Sequence, residues 1–206
     1  MARLLLFNKP FHVLSQFTDS KGRATLKEYF PREKYGAHIY PAGRLDYDSE
    51  GLLLLTAQGR LQSRISHPRC KMWKAYHVLV EGLPQQSFYD AIRAGVVLRD
   101  GPSQPGRARA IADPKFWHRS SPIRKRAAIP TCWIELEICE GRNRQVRRMC
   151  ATLGHPVLRL VRVTVGEWSL GDLRPGQVKE LTVHLPEKKP ARKGRRMPRS
   201  IGKCRR

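Results

Sequence analysis

Three segments of the chain carry apolar side chains in the pattern of β-strands, and this pattern constrains the fold more than any other feature. In residues 74–80 (KAYHVLV), a tyrosine and two valines share one face. Residues 131–139 (TCWIELEIC) alternate in the same way, and residues 157–165 (VLRLVRVTV) are rich in β-branched side chains. Side chains of a strand point alternately to its two faces, so each segment predicts a strand with one face in a core.

The remaining elements do not follow a regular order. Residues 51–56 (GLLLLT) predict another buried strand, and apolar spacing with terminal Gly or Pro signals predicts helices at residues 58–66, 85–94 and 143–153. Hairpin-like neighbours replace the strand–helix alternation of a doubly wound parallel sheet. We therefore expect an α+β fold, with a mostly antiparallel mixed sheet and flanking helices. Residues 102–130 contain five prolines and are expected to form long loops.

The charge of the chain predicts a polyanionic partner. There are 40 Lys and Arg residues against 17 Asp and Glu residues, a formal net charge of +23, which favours nucleic acid as the partner. Residues 187–206 contain ten Lys or Arg and one Glu, with little apolar content. We expect residues 1–186 to form the folded domain and residues 187–206 a disordered basic tail that attracts phosphate without sequence preference.

Cysteine spacing and hydropathy exclude other classes of protein. The five cysteines include no CxxC pair and suggest neither a disulfide framework nor a zinc site, so a cytoplasmic setting is expected. No run of 18 apolar residues is present, which argues against a membrane span. The apolar stretch near the N-terminus is too short for the core of a signal peptide.

Asp46, Asp48 and Glu50 lie close together in a chain that is poor in acids. Their spacing imitates the start of a calcium-binding loop, but the twelfth position of such a loop would be Ala57 where a bidentate Glu is needed. The calcium hypothesis therefore fails. Asp48 has the character of a turn residue, whereas Asp46 lies between Leu45 and Tyr47, and an acid in such surroundings has either a chemical or a surface role.

Four stretches of the chain, in order, resemble the motifs of one enzyme family. Residues 43–56 (GRLDYDSEGLLLLT) are similar to the G-R-L-D-x-x-[ST]-x-G-L-[LI] signature of pseudouridine synthases, in the branch that includes the small-subunit rRNA enzyme. The other three stretches carry the N-K-P, K-x-Y and E-G-x-x-x-Q-V-R-R-M motifs with a following L-x-R, and they lie at residues 4–18, 74–82 and 140–162.

The resemblance covers roughly residues 3 to 185 and implies the catalytic fold of this family. Most members of the branch begin with an RNA-binding domain of the ribosomal protein S-four type, whereas here the catalytic motifs start at once. The chain thus resembles the short members, which implies 23S rRNA of the large subunit as the substrate and isomerisation of uridine to pseudouridine as the reaction. The sequence does not indicate which uridine is modified, or whether free rRNA or an assembling particle is the substrate.

The resemblance also assigns roles to single residues. Asp46 is implied as the catalytic carboxylate, either attacking C1′ or removing a sugar proton. Tyr76 and Val146 are implied to contact the target base, although both also fit an ordinary core. Arg162 shares a predicted strand face with apolar residues, and a buried guanidinium needs a partner. The family pattern supplies one, so we predict an ion pair between Arg162 and Asp46.

The remaining basic residues are predicted to contact RNA. Arg44 is expected to bind the substrate, and a further set is expected at the helix N-terminus and nearby: Arg142, Arg144, Arg147, Arg148, Lys74 and Lys9. The isomerisation adds nothing and changes no oxidation state, so neither a metal nor a small-molecule cofactor is expected. The chain is expected to act as a monomer. The alternatives are a non-catalytic rRNA-binding or ribosome-assembly protein and, from charge alone, a DNA-binding protein without a helix-turn-helix or finger pattern.

Overall fold

The computed structural model describes residues 1–119, 121–124, 126 and 128–184, so the predicted basic tail at 187–206 lies outside the described residues. The strands are β1 (Ala2–Lys9), β2 (Tyr40–Pro41), β3 (Glu50–Thr56), β4 (Lys74–Glu81), β5 (Val97–Leu98), β6 (Gly101–Pro102), β7 (Arg107–Ile111), β8 (Thr131–Ile138), β9 (Val157–Val165), β10 (Trp168–Ser169) and β11 (Val178–Val183). The α-helices are α1 (Arg32–Tyr35), α2 (Gly59–Ser66), α3 (Gln86–Ala94) and α4 (Gln145–Thr152).

A large mixed sheet with the strand order β11-β1-β3-β9-β4-β8-β7 organises the molecule. Strands β3 and β9 run parallel, and the other neighbours in this order pair antiparallel. The α+β class with a mostly antiparallel mixed sheet is therefore confirmed. Among the residues that the structure describes, no helix is long and apolar enough to cross a bilayer.

Strand β3 contributes to two hydrophobic cores, one on each face of the sheet. Leu53 and Leu55 pack into the core that includes helices α3 and α4, whereas Leu52 and Leu54 pack into the core that includes helix α2. Since both faces of β3 are covered, its sequence is a continuous apolar run instead of an alternation. The sequence thus identified this strand as buried.

The parallel junction of β3 and β9 requires a glycine. Gly51 has a φ of 101°, and a Cβ atom at this position would collide with the backbone carbonyl and amide of Arg162. A side chain here would force the two strands apart. The junction lies at the end of the loop that carries Asp46, so the same glycine sets the distance between that loop and β9.

The expectation of long loops throughout residues 102–130 is wrong in part. Strand β7 lies within this stretch and pairs with β8 at the edge of the sheet. Its sequence, RARAI, has few of the β-branched and aromatic residues that signal a strand. Arg107 and Arg109 face Glu137 and Glu135 of β8 and form ion pairs with them, so cross-strand charges stabilise a strand that has little apolar signal.

Candidate active site

A cleft of about 170 Å³ lies between β4, β8 and β9, the end of α2, the N-terminus of α4 and the loop before β3. Nine of the residues predicted from the sequence line it: Arg44, Asp46, Lys74, Tyr76, Arg142, Arg144, Val146, Arg147 and Arg162. The fold therefore gathers side chains that are separated by more than 100 positions in the sequence into one depression.

Asp46 lies in the cleft with 29% of its side chain exposed. The backbone just before it is fixed, because Ser15 Oγ donates a hydrogen bond to Leu45 O (2.9 Å) and accepts one from Leu45 N (3.1 Å). The Ser49 amide donates to Asp46 O (3.1 Å) and closes the following turn. The carboxylate is thus held at the surface of the cleft, within reach of a ligand.

The predicted ion pair between Arg162 and Asp46 is not formed in the structure. Arg162 is 4% exposed, and its Nε donates to Leu52 O (2.8 Å) while its Nη1 lies 3.4 Å from Arg44 O. Pairing between β3 and β9 extends only over Glu50 and Gly51, so the next carbonyl of β3 is available to a side-chain donor. The guanidinium is buried as predicted, but backbone oxygens replace the carboxylate as its partners.

The ion-pair partner of Asp46 is Arg144, at 3.7 Å. Arg144 precedes α4 in a left-handed conformation (φ 46°), and its Nη1 and Nη2 donate to the two carboxylate oxygens of Asp48 at 2.9 and 2.8 Å. Arg147 Nη2 donates to the backbone oxygen of Asp48 (2.6 Å). Asp48 thus holds two arginines beside Asp46, a role that its turn character did not reveal.

Electrostatics at Asp48 favour its charged form. Burial raises the pKa of this carboxyl group, but the hydrogen bond from Arg144 and the charges of Arg147 and Arg144 outweigh burial, so the net pKa lies below its ordinary value. Burial lowers the pKa of Arg147, and the charge of Asp48 opposes that effect. Ionised Asp48 therefore holds the two arginines near Asp46 and neutralises part of their positive charge.

Tyr76 and Val146 belong to the core and also line the cleft, while their contact with the target base stays a prediction. They are 7% and 4% exposed. Tyr76 faces Arg162 in the pairing of β4 with β9. The apolar wall of the cleft is therefore continuous with the core, which keeps its position rigid.

Two lysines differ in their access to the cleft. Lys74 lines it, and burial, followed by the charge of Arg162, lowers the pKa of its ammonium group. Lys9, by contrast, is fully buried, with Nζ donating to Pro10 O and Val13 O, both at 2.8 Å. The prediction of Lys9 as a surface contact for RNA is wrong, because this ammonium group is used inside the fold to hold a turn.

The arginines beside α4 also carry structural contacts. Arg142 Nη1 donates to Gly101 O (2.9 Å) in the β5–β6 hairpin, and Arg148 pairs with Asp100 through two hydrogen bonds (2.8 and 3.0 Å). Both arginines attach the hairpin to the helix, and their predicted contact with RNA stays a prediction.

Glu50 is the buried member of the acidic group, and the sequence assigned it no role of its own. It is 1% exposed and pairs with Arg159 through two hydrogen bonds (2.8 and 2.9 Å). Trp117 Nε1 donates to the same carboxylate (2.9 Å). This network fixes the segment around Trp117 against the sheet. Within the described ranges, no group of three or more His, Cys, Asp or Glu side chains has the geometry to hold a metal ion.

The family profile of RNA pseudouridylate synthases matches residues 3–152, more than half of the chain. The chain belongs to this family. It is 49% identical over 181 residues to ribosomal large subunit pseudouridine synthase E of Vibrio vulnificus (strain CMCP6), covering 88% of this chain and 76% of the relative. It is 51% identical over 178 residues to the protein of the same name from Xanthomonas campestris, covering 84% of this chain and 92% of the relative.

Solved structures agree with this assignment of family and fold. A crystal structure of a pseudouridylate synthase superposes with a TM-score of 0.73 at 29% identity, over 88% of this chain and 71% of that one. A pseudouridine synthase is an isomerase, so the resemblance found in the sequence motifs and the enzyme class that it implied are both confirmed. A complex titled as an H/ACA ribonucleoprotein bound to substrate RNA, at 13% identity and a TM-score of 0.53, shares the fold alone.

Proposed function

We propose that this synthase converts a specific uridine of 23S rRNA to pseudouridine and that Asp46 is the catalytic carboxylate. The position of Asp46 carries the proposal: it is a partly exposed carboxylate in a cleft walled by Tyr76, Val146 and several arginines. The large-subunit rRNA substrate is suggested by the names of relatives that are about half identical over most of the chain. The alternative is a non-catalytic rRNA-binding or assembly protein.

The reaction breaks the bond between N1 and C1′, turns the uracil and joins C5 to C1′. C5 loses a proton and N1 gains one, so atoms and electrons balance without a co-reactant. Glycosidases need two carboxylates because one protonates the leaving group and the other handles water or the sugar. Uracil leaves as a stabilised anion and stays in the cleft, so the single carboxylate of Asp46 suffices, as a nucleophile at C1′ or as a base at the sugar.

The walls of the cleft suit a base removed from its helix. Enzymes that act on a base take it out of the stack and hold it between apolar or aromatic side chains. Tyr76 offers a ring for stacking and a hydroxyl for proton transfer at C5, and Val146 packs against the base. Arg162 lines the cleft and supports the loop of Asp46 through the carbonyl of Arg44.

Basic residues around the cleft suit the phosphates of the flanking nucleotides. In this proposal Arg44, which is exposed, binds the substrate, while Lys74 and the arginines of the α4 end contact the backbone. The isomerisation needs neither a metal nor a small-molecule cofactor. We further propose a monomer that acts in the cytoplasm, with residues 1–186 as the catalytic domain and residues 187–206 as a basic extension.

Replacement of Asp46 by Asn tests the enzymatic role. The amide keeps the size of the side chain but removes the charge and the basic oxygens, so we expect no detectable pseudouridine formation on large-subunit rRNA. RNA affinity and the melting temperature should stay close to those of the wild type. Asp90→Asn, an exposed acid on α3, is the matched control and should keep full turnover. Turnover retained in the Asp46→Asn variant would falsify the catalytic role.

Mapping of pseudouridines in rRNA from cells that lack this protein separates the enzyme from the assembly factor. The enzyme predicts the loss of at least one pseudouridine in 23S rRNA, restored by the wild-type gene and not by the Asp46→Asn variant. An assembly factor predicts an unchanged map and rescue of any growth defect by both genes. Filter binding with rRNA fragments and duplex DNA of equal length tests the DNA-binding alternative, which requires a preference for DNA.

A further inference from the structure

A column of stacked rings stands beside the loop of Asp46, and the proposed chemistry does not use it. The rings of Phe11 and His12 stack with centroids 3.9 Å apart, and the rings of His12 and Tyr47 stack at 4.7 Å with only 8° between their planes. A guanidinium lies at each end: that of Arg119 is 3.9 Å from the Phe11 centroid, and that of Arg23 is 5.8 Å from the Tyr47 centroid.

The middle ring of this column is presented by a strained backbone. His12 is exposed and has a φ of 58°, in the left-handed region of backbone conformation that residues other than glycine seldom adopt. The turn is held by the hydrogen bond from His12 N to Tyr47 O (2.9 Å) and by the buried Lys9 ammonium, which donates to the carbonyls of Pro10 and Val13. Strain that the surrounding structure enforces is concentrated at functional sites.

The column is one residue away from the proposed catalytic carboxylate. Tyr47 follows Asp46 directly, so consecutive α-carbons lie about 3.8 Å apart. The three rings are not part of the lining of the cleft that holds Asp46, so the base that could stack on them is one outside the cleft, next to the uridine at Asp46. Stacked aromatic faces match a nucleobase, because bases stack on rings. The two guanidiniums are held within the protein, that of Arg23 by Asp19 and that of Arg119 by the carbonyls of Ser121 and Pro122, so ring stacking and not phosphate pairing carries the match.

We propose that a base adjacent to the target uridine enters between Phe11 and Tyr47, in place of the His12 ring. His12 keeps the slot open with a planar group in the free protein. When the base enters, the His12 ring moves into solvent and its backbone leaves the left-handed region, so relief of strain offsets the stacking that is lost. The inference rests on the proposed function, because it takes the ligand to be RNA and places the target uridine at Asp46.

Binding of short single-stranded RNA tests the slot without relying on turnover. One RNA carries a single uridine flanked by adenines, and the matched RNA has abasic sites at the two flanking positions. At fixed salt, the wild type should bind the adenine-flanked RNA about tenfold more tightly, the usual effect of stacking one base on an aromatic side chain. Phe11→Leu keeps the apolar volume but lacks the ring face, so it should bind both RNAs equally.

Two further variants distinguish the slot from a structural role of the turn. Phe11→Tyr keeps the ring and should retain the tenfold ratio of affinities for the adenine-flanked RNA and the abasic RNA. His12→Gly accepts a positive φ without a side chain and leaves the slot open, so it should retain the ratio or increase it. Melting temperatures identify any variant that fails to fold. The same ratio in the wild type and Phe11→Leu would overturn the proposal, as would loss of the ratio in a folded His12→Gly variant.

This experiment and the test of Asp46 fail independently. A wild-type protein that forms no pseudouridine but shows the tenfold ratio would contradict the proposed function and support the stacking slot. A wild-type protein that forms pseudouridine but shows no ratio would contradict the slot and leave the proposed function intact.

Discussion

Single side chains in the cleft depend on partners that hold them in place. Asp46 lies 3.7 Å from Arg144, and Arg144 is fixed by two hydrogen bonds to Asp48. Arg147 also binds the Asp48 backbone. Asp48 is therefore a positioning residue: it fixes the cationic groups near the proposed catalytic carboxylate without being the group that reacts.

Replacement of Asp48 by Asn tests this positioning role. The variant loses the two-point contact with Arg144, so we expect a loss of about 1 kcal/mol in the free energy of unfolding, since the pair is partly exposed. Displacement of Arg144 should lower kcat on rRNA on the order of tenfold. Asp100→Asn is the control. It removes the partner of Arg148, which lies on the helix that Arg144 precedes, and it should leave kcat unchanged. Equal kcat values for both variants would contradict the role of Asp48.

The buried ammonium of Lys9 makes stability depend on pH. Burial lowers the pKa of Lys9 from 10.5 to about 7, and the charge of Glu50 opposes this effect only in part. Between these two pH values the unfolded chain binds more protons at this residue than the folded chain. The free energy of unfolding contributed by Lys9 should therefore rise as pH increases from about 7 towards 10.5 and be constant below that interval.

Urea unfolding of the wild type and a Lys9→Met variant across this interval measures the effect. The variant cannot titrate at this position, so the difference in free energy of unfolding should shift in favour of the wild type as pH rises. Other titrating groups are common to both proteins and cancel in the difference. A difference that is flat with pH, or that favours Lys9→Met increasingly at high pH, would show that Lys9 is not a desolvated ammonium.

The elements meet at the cleft because β3 and β9 approach closely. These strands pair in parallel over Glu50 and Gly51, and Arg162 of β9 donates across to Leu52 O and lies near Arg44 O. The loop of Asp46 is thus connected to the sheet through a backbone contact that only glycine permits. At the other side of the sheet, ion pairs between β7 and β8 replace apolar packing.

Substitution of Gly51 by Ala should separate the two strands. The added Cβ meets the Arg162 backbone in a region of positive φ, so we expect a loss of about 3 kcal/mol in the free energy of unfolding together with lower turnover. Gly22→Ala also has a positive φ, of 69°, but nothing within 4 Å of the new atom, and it should cost about 1 kcal/mol. Denaturant unfolding of both variants separates the cost of an alanine at positive φ from the added cost of the steric collision with the Arg162 backbone. Equal losses would show that the close approach contributes nothing.

At the scale of the whole molecule, charge governs the encounter with RNA. The net charge of +23 is shared between residues 1–186 and the ten basic residues of 187–206. Many arginines near the cleft are already paired with Asp48, Asp100 or Glu140, so part of their charge is used within the fold. The segment 187–206 is thus expected to contribute much of the attraction that does not depend on sequence.

Removal of residues 187–206 should weaken RNA binding and make it less sensitive to salt. Each phosphate contact that is lost reduces the slope of log affinity against log salt by about one unit, because fewer counterions are released. Turnover at saturating RNA should persist. The measurement is affinity at several salt concentrations with kcat for both chains. Loss of kcat after truncation would place this segment in the active site.

The sequence by itself indicated most of the long strands, the main helices and the motif that contains Asp46, because these depend on local periodicity and short spacing, and its charge predicts a polyanionic partner. Only the tertiary structure decided which charges meet. Arg144 and Asp48 are 96 positions apart, and Arg162 binds Leu52 O across 110 positions, while Lys9 and Glu50 are buried. Such contacts depend on which elements converge and which backbone carbonyls remain free there. The alternation of side chains along one strand does not predict which distant elements converge.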